Sequence, residues 1–284
     1  MRIGITGIGL IGGSLAIQLR KTIENVIIYG YDSSELHLKY ALDSGLIDEI
    51  ILKKDFDTLD VLLLAYPVKQ ITNQLTSILD LVSDKTLVID FGSTKYKICA
   101  TVSSHPKRSQ FLATHPIAGT EFSGPTAASE SLFNGKVQII CESDKTQNDL
   151  LKWALGWFKS IGMVLKEMKP EDHDKHIAYV SHLSHISSFI LGQTVLEKEK
   201  DESAIFAMAG SGFASTVRLA KSSPETWSSI FEENKDNILE TLKHYLSNLE
   251  EFRVLLEEEN YKKIYKIIEK TNAIKSVLKG IKTK

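Results

Sequence analysis

The chain has 284 residues, 43% hydrophobic and 25% charged, enough to bury the core of one large domain or two ordinary ones. Its formal net charge of −2 excludes an overall basic field for nucleic acid or an anionic membrane, so a small acidic substrate must be held by individual cations. No run approaches the ~18 apolar residues of a membrane span, and the N-terminus lacks the apolar stretch of a signal peptide. The two distant cysteines, Cys99 and Cys141, read as reduced buried thiols, and a cytoplasmic protein is expected.

Short apolar runs rich in β-branched residues predict buried strands over 2–6, 26–31, 61–65, 86–91, 111–114, 137–141 and 163–168. Helical patterns over 11–20, 33–43 and 69–81 lie between several of them. This alternation predicts βαβ units with right-handed crossovers and a mainly parallel, doubly wound sheet, an α/β domain over residues 1–168. After Pro170 only helical spacing remains, over 171–198, 224–258 and 260–282. Trp227, Ile230, Phe231, Ile238, Leu239, Leu242 and Leu246 trace an apolar stripe there. An all-α domain over 169–284 follows, with more apolar surface than it can cover alone, so a homodimer through it is expected, docking onto the first domain being the alternative. Lys262, Lys263, Lys266 and Lys270 read as a solvated helix face.

Gly7-Ile8-Gly9-Leu10-Ile11-Gly12 follows the first strand and opens the first helix. In that context the pattern is a dinucleotide turn of Rossmann type. Gly7 permits the tight turn, Gly9 lets backbone approach a pyrophosphate, Gly12 allows close helix–strand packing, and the helix N-terminus offers N–H donors. Asp32, ending the second strand, is placed to accept the adenosine ribose hydroxyls and to repel a 2′-phosphate. Ser33-Ser34 brings no arginine to offset it, so NAD is expected. Tyr66, just after the strand over 61–65, is expected to be a further cofactor contact.

Thr114-His115-Pro116 places an imidazole at the carboxyl end of a strand, because proline disfavours helix in the residue before it. Ser93 precedes the helical stretch 94–101 and is a helix cap, a partner of the reacting group, or both. His182 and His185 are spaced i, i+3, but no third ligand is suggested and no metal is expected.

His115-Pro116-Ile117-Ala118-Gly119-Thr120-Glu121, with Ser123-Gly124 after it, resembles the signature of the prephenate dehydrogenase family. The likeness spans nearly the whole chain. Asp90-Phe91-Gly92-Ser93-Thr94-Lys95 resembles the element before that histidine. Asp172-His173-Asp174 and Ser181-His182-Leu183-Ser184-His185 resemble the start of the family's helical domain, and Gly210-Ser211-Gly212-Phe213 with Arg218 and Trp227 resembles its substrate segment. Ser184 and Ser223 stand where many members have proline and aspartate, and Ser211 interrupts a segment that is often all glycine.

The resemblance implies NAD-dependent oxidative decarboxylation of prephenate to 4-hydroxyphenylpyruvate, in tyrosine biosynthesis. His115 takes the hydroxyl proton as a neutral base. Ser93 holds that hydroxyl or the imidazole, and Arg218 clamps a carboxylate. His185 and Ser211 contribute to the substrate pocket, Glu121 pairs with a cation and gates it, and Trp227 is either core or a substrate contact. The rivals are the same oxidation of arogenate, a β-hydroxyacid-type dehydrogenase using Lys175, and a non-catalytic NAD-binding dimer.

Overall fold

The protein is described by a computed structural model covering residues 1–200 and 204–280. Eight strands form one sheet: β1 (Arg2–Thr6), β2 (Ile27–Tyr31), β3 (Glu49–Ile50), β4 (Val61–Leu64), β5 (Leu87–Asp90), β6 (Phe111–Pro116), β7 (Val137–Cys141) and β8 (Val164–Glu167). Their order is β3-β2-β1-β4-β5-β6-β7-β8. Every pairing is parallel except β6 with β7. The chain passes from β1 outward to β3 and then returns to β4 on the other side of β1. The carboxyl ends of β1 and β4 therefore flank the switch point at which open α/β sheets take ligands.

The helices are α1 (Leu10–Thr22), α2 (Glu35–Asp43), α3 (Val68–Leu81), α4 (Tyr96–Thr101), α5 (Asn148–Ser160), α6 (Pro170–Ile177), α7 (Leu183–Glu199), α8 (Ser211–Thr216), α9 (Pro224–Glu233), α10 (Lys235–Glu257), α11 (Tyr261–Thr271) and α12 (Ile274–Gly280). Strand residues alternate between two apolar layers because successive side chains leave a strand on opposite faces. Ile3, Ile5, Leu63, Ile89 and Leu112 share one layer with Leu15 and Leu19 of α1, Ala41 of α2, and Trp157 and Phe158 of α5. Leu62, Leu64, Val88, Phe111 and Ala113 share the other with Ile71 and Leu75 of α3 and Ile98 of α4. Apolar cover on both faces is what a mainly parallel sheet requires.

Two compact units emerge, Met1–Asn237 and Ile238–Lys284. The division falls well after residue 168, because α9 packs on the sheet's own helices. Its Ile230 joins the second apolar layer, Ser229 Oγ accepts the Lys69 N–H at 3.0 Å, and Thr72 Oγ1 donates to Glu233 at 2.9 Å. In the second unit Leu255 and Ile264 are buried, and Asn260 caps α11 by accepting the Lys263 N–H at 3.3 Å.

Several element boundaries differ from expectation. The two-residue β3 is too short to show alternation. β6 runs through His115 to Pro116, opposite Ile139 and Gln138, rather than stopping at Thr114. The helix expected over 171–198 contains a π turn at Ala178–His182. The one expected over 224–258 breaks at Asn234, which leaves helical backbone angles at φ −113° and ψ 26° while its buried side-chain amide donates to α6. The apolar stripe is broken with it, and Leu239 and Leu246 are exposed. The end of the helix expected over 260–282 lies outside the described residues.

Candidate active site

The glycine turn sits where β1 enters α1. Gly7 has φ +84°, and a Cβ there would lie 2.5 Å from the Ala65 carbonyl oxygen. At Gly12 a Cβ would lie 2.0 Å from the Gly7 carbonyl oxygen, so neither position tolerates a side chain. At Gly9 a Cβ would meet nothing within 4 Å; backbone there faces open space. No side chain caps α1 and no acid occupies its first turn, so its positive end is left for an anion.

Asp32 does more than await a ribose. Its Oδ2 accepts the Ile8 N–H at 2.7 Å and its Oδ1 the Ser34 N–H at 2.8 Å, which fixes the carboxylate while leaving lone pairs for a sugar. The Ile8 N–H is thus engaged inside the protein, and its side chain is fully buried. His37, not singled out in the sequence, lies 3.5 Å from Asp32. Tyr66 lies against Gly7, and its buried hydroxyl has no partner among the described residues. Burial, then the charge of Asp90, push its pKa up, so the phenol stays protonated. An open glycine, an uncapped helix end, a fixed acid and an unpartnered hydroxyl at one sheet edge fit a dinucleotide.

His115 stands at the carboxyl end of β6, on the same edge as Gly7 and Tyr66, because β1, β4, β5 and β6 are parallel. Its Nδ1 lies 2.8 Å from His173 Nε2, and His173 Nδ1 lies 2.7 Å from Asp174 Oδ1. Burial above all holds the His115 pKa well below the usual histidine range. The imidazole is therefore neutral at neutral pH and able to accept a proton.

Ser93 follows β5 on the same edge, half-buried, but it does not cap α4 as the sequence suggested. The cap is supplied from α6: Asp174 accepts the Lys95 N–H at 2.7 Å and the Tyr96 N–H at 2.9 Å. Beneath the loop, Lys95 and Asp90 form a fully buried ion pair. Thr114 Oγ1 donates to the Asp90 carbonyl at 2.6 Å, tying β6 to the same place.

From Asp174 the contacts continue. Asn234 Nδ2 donates to the Asp174 carbonyl at 2.7 Å and lies 3.2 Å from His182 Nδ1. The His182 ring meets Trp227 edge-on at 5.9 Å, and His185 stacks on Trp227 at 3.5 Å. His185 Nδ1 donates to the Ser181 carbonyl at 2.9 Å, leaving Nε2 free. Burial lowers the pKa of both rings, that of His182 to about 4. Trp227 is half-buried and stacked on His185, a candidate pocket residue.

Arg218 donates from Nη1 to Glu121 Oε2 at 2.8 Å, with half its side chain exposed. The Glu121 carboxyl is held below the usual range by a backbone N–H and by Arg218. It borders an open cleft lined also by Phe122, Ser123 and Thr126. Ser211 opens α8 exposed, and no hydrogen bond joins it to the other candidates among the described residues. Ser223 caps α9 by accepting the Thr226 N–H at 3.4 Å. Lys175 is exposed on α6, which gives the lysine-dependent rival no support.

Sequence reasoning assigned no role to His173, Asp174, Lys95 or Asn234. The first three lie within quoted motifs; Asn234 carried no signal at all. His115 and His173 are 58 residues apart, and only packing of α6 beside β6 makes them partners.

This arrangement has counterparts. The nucleotide-binding domain of prephenate dehydrogenase matches residues 15–167, and that family's dimerization domain matches 169–270. The chain belongs to the prephenate dehydrogenase family. These are NAD-dependent oxidoreductases. Among relatives, prephenate dehydrogenase of Bacillus subtilis is 30% identical over 92% of this chain and 72% of its own. Cyclohexadienyl dehydrogenase of Zymomonas mobilis is 26% identical over 89% and 88%. The crystal structure of prephenate dehydrogenase from A. aeolicus with hydroxyphenyl propionate and NAD+ has a TM-score of 0.87 at 29% identity, covering 98% of each chain. Synechocystis arogenate dehydrogenase gives 0.77 at 26%, covering 98% and 100%.

Proposed function

We propose that this protein oxidatively decarboxylates prephenate to 4-hydroxyphenylpyruvate with NAD. The observation that carries the reading is a neutral, half-buried His115 on the sheet edge where the glycine turn opens. Bound NAD+ supplies the hydride acceptor for the carbon that bears the hydroxyl. His115 accepts the hydroxyl proton; carbon dioxide leaves as the ring becomes aromatic, which drives the reaction without further electron storage. Ser93 holds the hydroxyl or the imidazole. Arg218, kept in place by Glu121, offers its remaining N–H groups to a substrate carboxylate. His185 on Trp227, with Ser211, completes the pocket, and the Glu121–Arg218 pair gates it.

The change of matching family domain between residues 167 and 169 supports a domain boundary at 168, with the helical part as the dimer interface of a cytoplasmic homodimer. The likeness to Synechocystis arogenate dehydrogenase makes arogenate the second substrate to test.

Reduced-cofactor formation from prephenate and from arogenate, each with NAD+ and NADP+, tests the assignment. Activity with prephenate and NAD+ is expected, and activity on arogenate alone would remove it. His115→Asn is expected to lower kcat by about 10² or more, as for a lost general base, with NAD+ binding kept. Turnover at the wild-type rate would exclude His115 as the base.

A further inference from the structure

Behind His115 lie two buried groups in line, His173 and Asp174, to which the reaction assigns no task. His173 and Asp174 are each 2% exposed, and their contacts are short: 2.8 Å from His115 Nδ1 to His173 Nε2, and 2.7 Å from His173 Nδ1 to Asp174 Oδ1. Hydrogen positions follow from the end of the line. Asp174 is an acceptor, because it also receives the backbone N–H groups of Lys95 and Tyr96. His173 Nδ1 therefore carries its hydrogen toward Asp174, and in a neutral ring Nε2 is then the lone pair. That lone pair faces His115 Nδ1, which must be the donor. His115 is left with its lone pair on Nε2, the only ring nitrogen not engaged with α6.

We infer that His173, held by Asp174, is a positioning residue that fixes the tautomer and ring orientation of His115, so that Nε2 is its basic atom. When His115 Nε2 takes the substrate hydroxyl proton, the charge formed on the ring is stabilised through Nδ1–H donating to His173. No bond other than that hydroxyl O–H needs to break for this step. The carboxylate does a second thing with the same oxygens: by capping the backbone of Lys95 and Tyr96 it sets the loop carrying Ser93 in register with His115. One side chain from α6 thus aligns contributions from β5 and β6. The inference rests on His115 being the base, as proposed above.

Three charged or titratable groups face His115: Lys95 from the loop before α4, His173 from α6 and His182 from the π turn. His173 as an acceptor and His173 as a cation make opposite forecasts for the pH profile. If His173 acts as an acceptor, removing it destabilises the protonated form of His115 and moves the acid limb of kcat/KM to lower pH. If His173 is a competing cation, removing it moves that limb to higher pH.

The experiment compares full-length wild type, His173→Asn, His173→Gln and His115→Asn in prephenate turnover with NAD+, with NAD+ binding followed by fluorescence as a check of folding. His173→Asn keeps an amide near Nδ1 but reaches no further; His173→Gln keeps an acceptor at the position of Nε2. The expected result is a kcat about tenfold or more lower in His173→Asn, with both KM values within about twofold and the acid limb lower. Recovery of at least about threefold of that loss is expected in His173→Gln. An unchanged kcat, a loss confined to KM, a limb displaced upward, or a glutamine variant no better than asparagine would each overturn the inference. Should His173→Asn fail to bind NAD+, the decision falls to His173→Gln, for which kcat below about a tenth of wild type counts against the role. Wild-type turnover in His115→Asn would instead break the functional reading itself.

Discussion

At the scale of single residues, environment rather than residue type decides what the site can do. His115, His182 and His185 are all histidines whose pKa burial lowers, yet only His115 stands at a strand end on the cofactor edge with one nitrogen engaged and the other free. Because its neutral form is the active one and its pKa is depressed, kcat/KM should hold its plateau as pH falls and decline only below 6.5; an acid limb above pH 7 would contradict this. His182 makes the matching statement about stability. Its pKa of about 4 when folded lies below the usual 6.5, so the unfolded chain binds the extra proton and stability falls as pH drops from 6.5 toward 4. Between pH 6.5 and 5 the contribution is about 1.5 kcal/mol, measurable as a fall in urea midpoint that is smaller by about that amount in a His182→Asn variant. Arg218, half exposed and paired with Glu121, should matter for binding: Arg218→Gln is expected to raise KM for prephenate about tenfold or more with NAD+ affinity unchanged. An unmoved KM would rule out the clamp.

Among the elements, the junctions carry more information than the helices and strands themselves. The strand patterns were legible because parallel strands covered on both faces are short, β-branched and apolar, and the glycine turn was legible because its backbone geometry excludes side chains at Gly7 and Gly12. The breaks were not. A π turn at Ala178–His182 and the helix break at Asn234 carry no local signal, and the Asn234 amide meets Asp174 on another element. Asn234 reads locally as an ordinary polar helix residue, and its amide joins α6 to the π turn instead. Asn234→Ala should therefore cost about 0.5–1.5 kcal/mol, since the buried Asp174 carbonyl loses its side-chain donor but keeps the Ala178 N–H. Chemical denaturation reads this directly, and a loss below a few tenths of a kcal/mol would mean that the junction is held elsewhere.

For the whole molecule, exposed apolar residues in the helical part, such as Val180, Ile190, Leu196 and Met208, suit a protein that pairs. Light scattering is expected to return twice the mass of one chain, and a concentration-independent monomer would remove the dimer reading. The sequence by itself determined the α/β class, the glycine turn with its acid, the family, and the identity of most candidate residues. It did so because these depend on local backbone geometry, on periodicity and on contiguous motifs. Tertiary structure alone decided that Asp174 rather than Ser93 caps α4, that His173 meets His115, that Asp32 is pinned by backbone N–H groups, and that α6 to α9 share a compact unit with the sheet. Those facts depend on groups tens of residues apart satisfying one another's buried hydrogen bonds, and no local pattern in the chain records such a pairing.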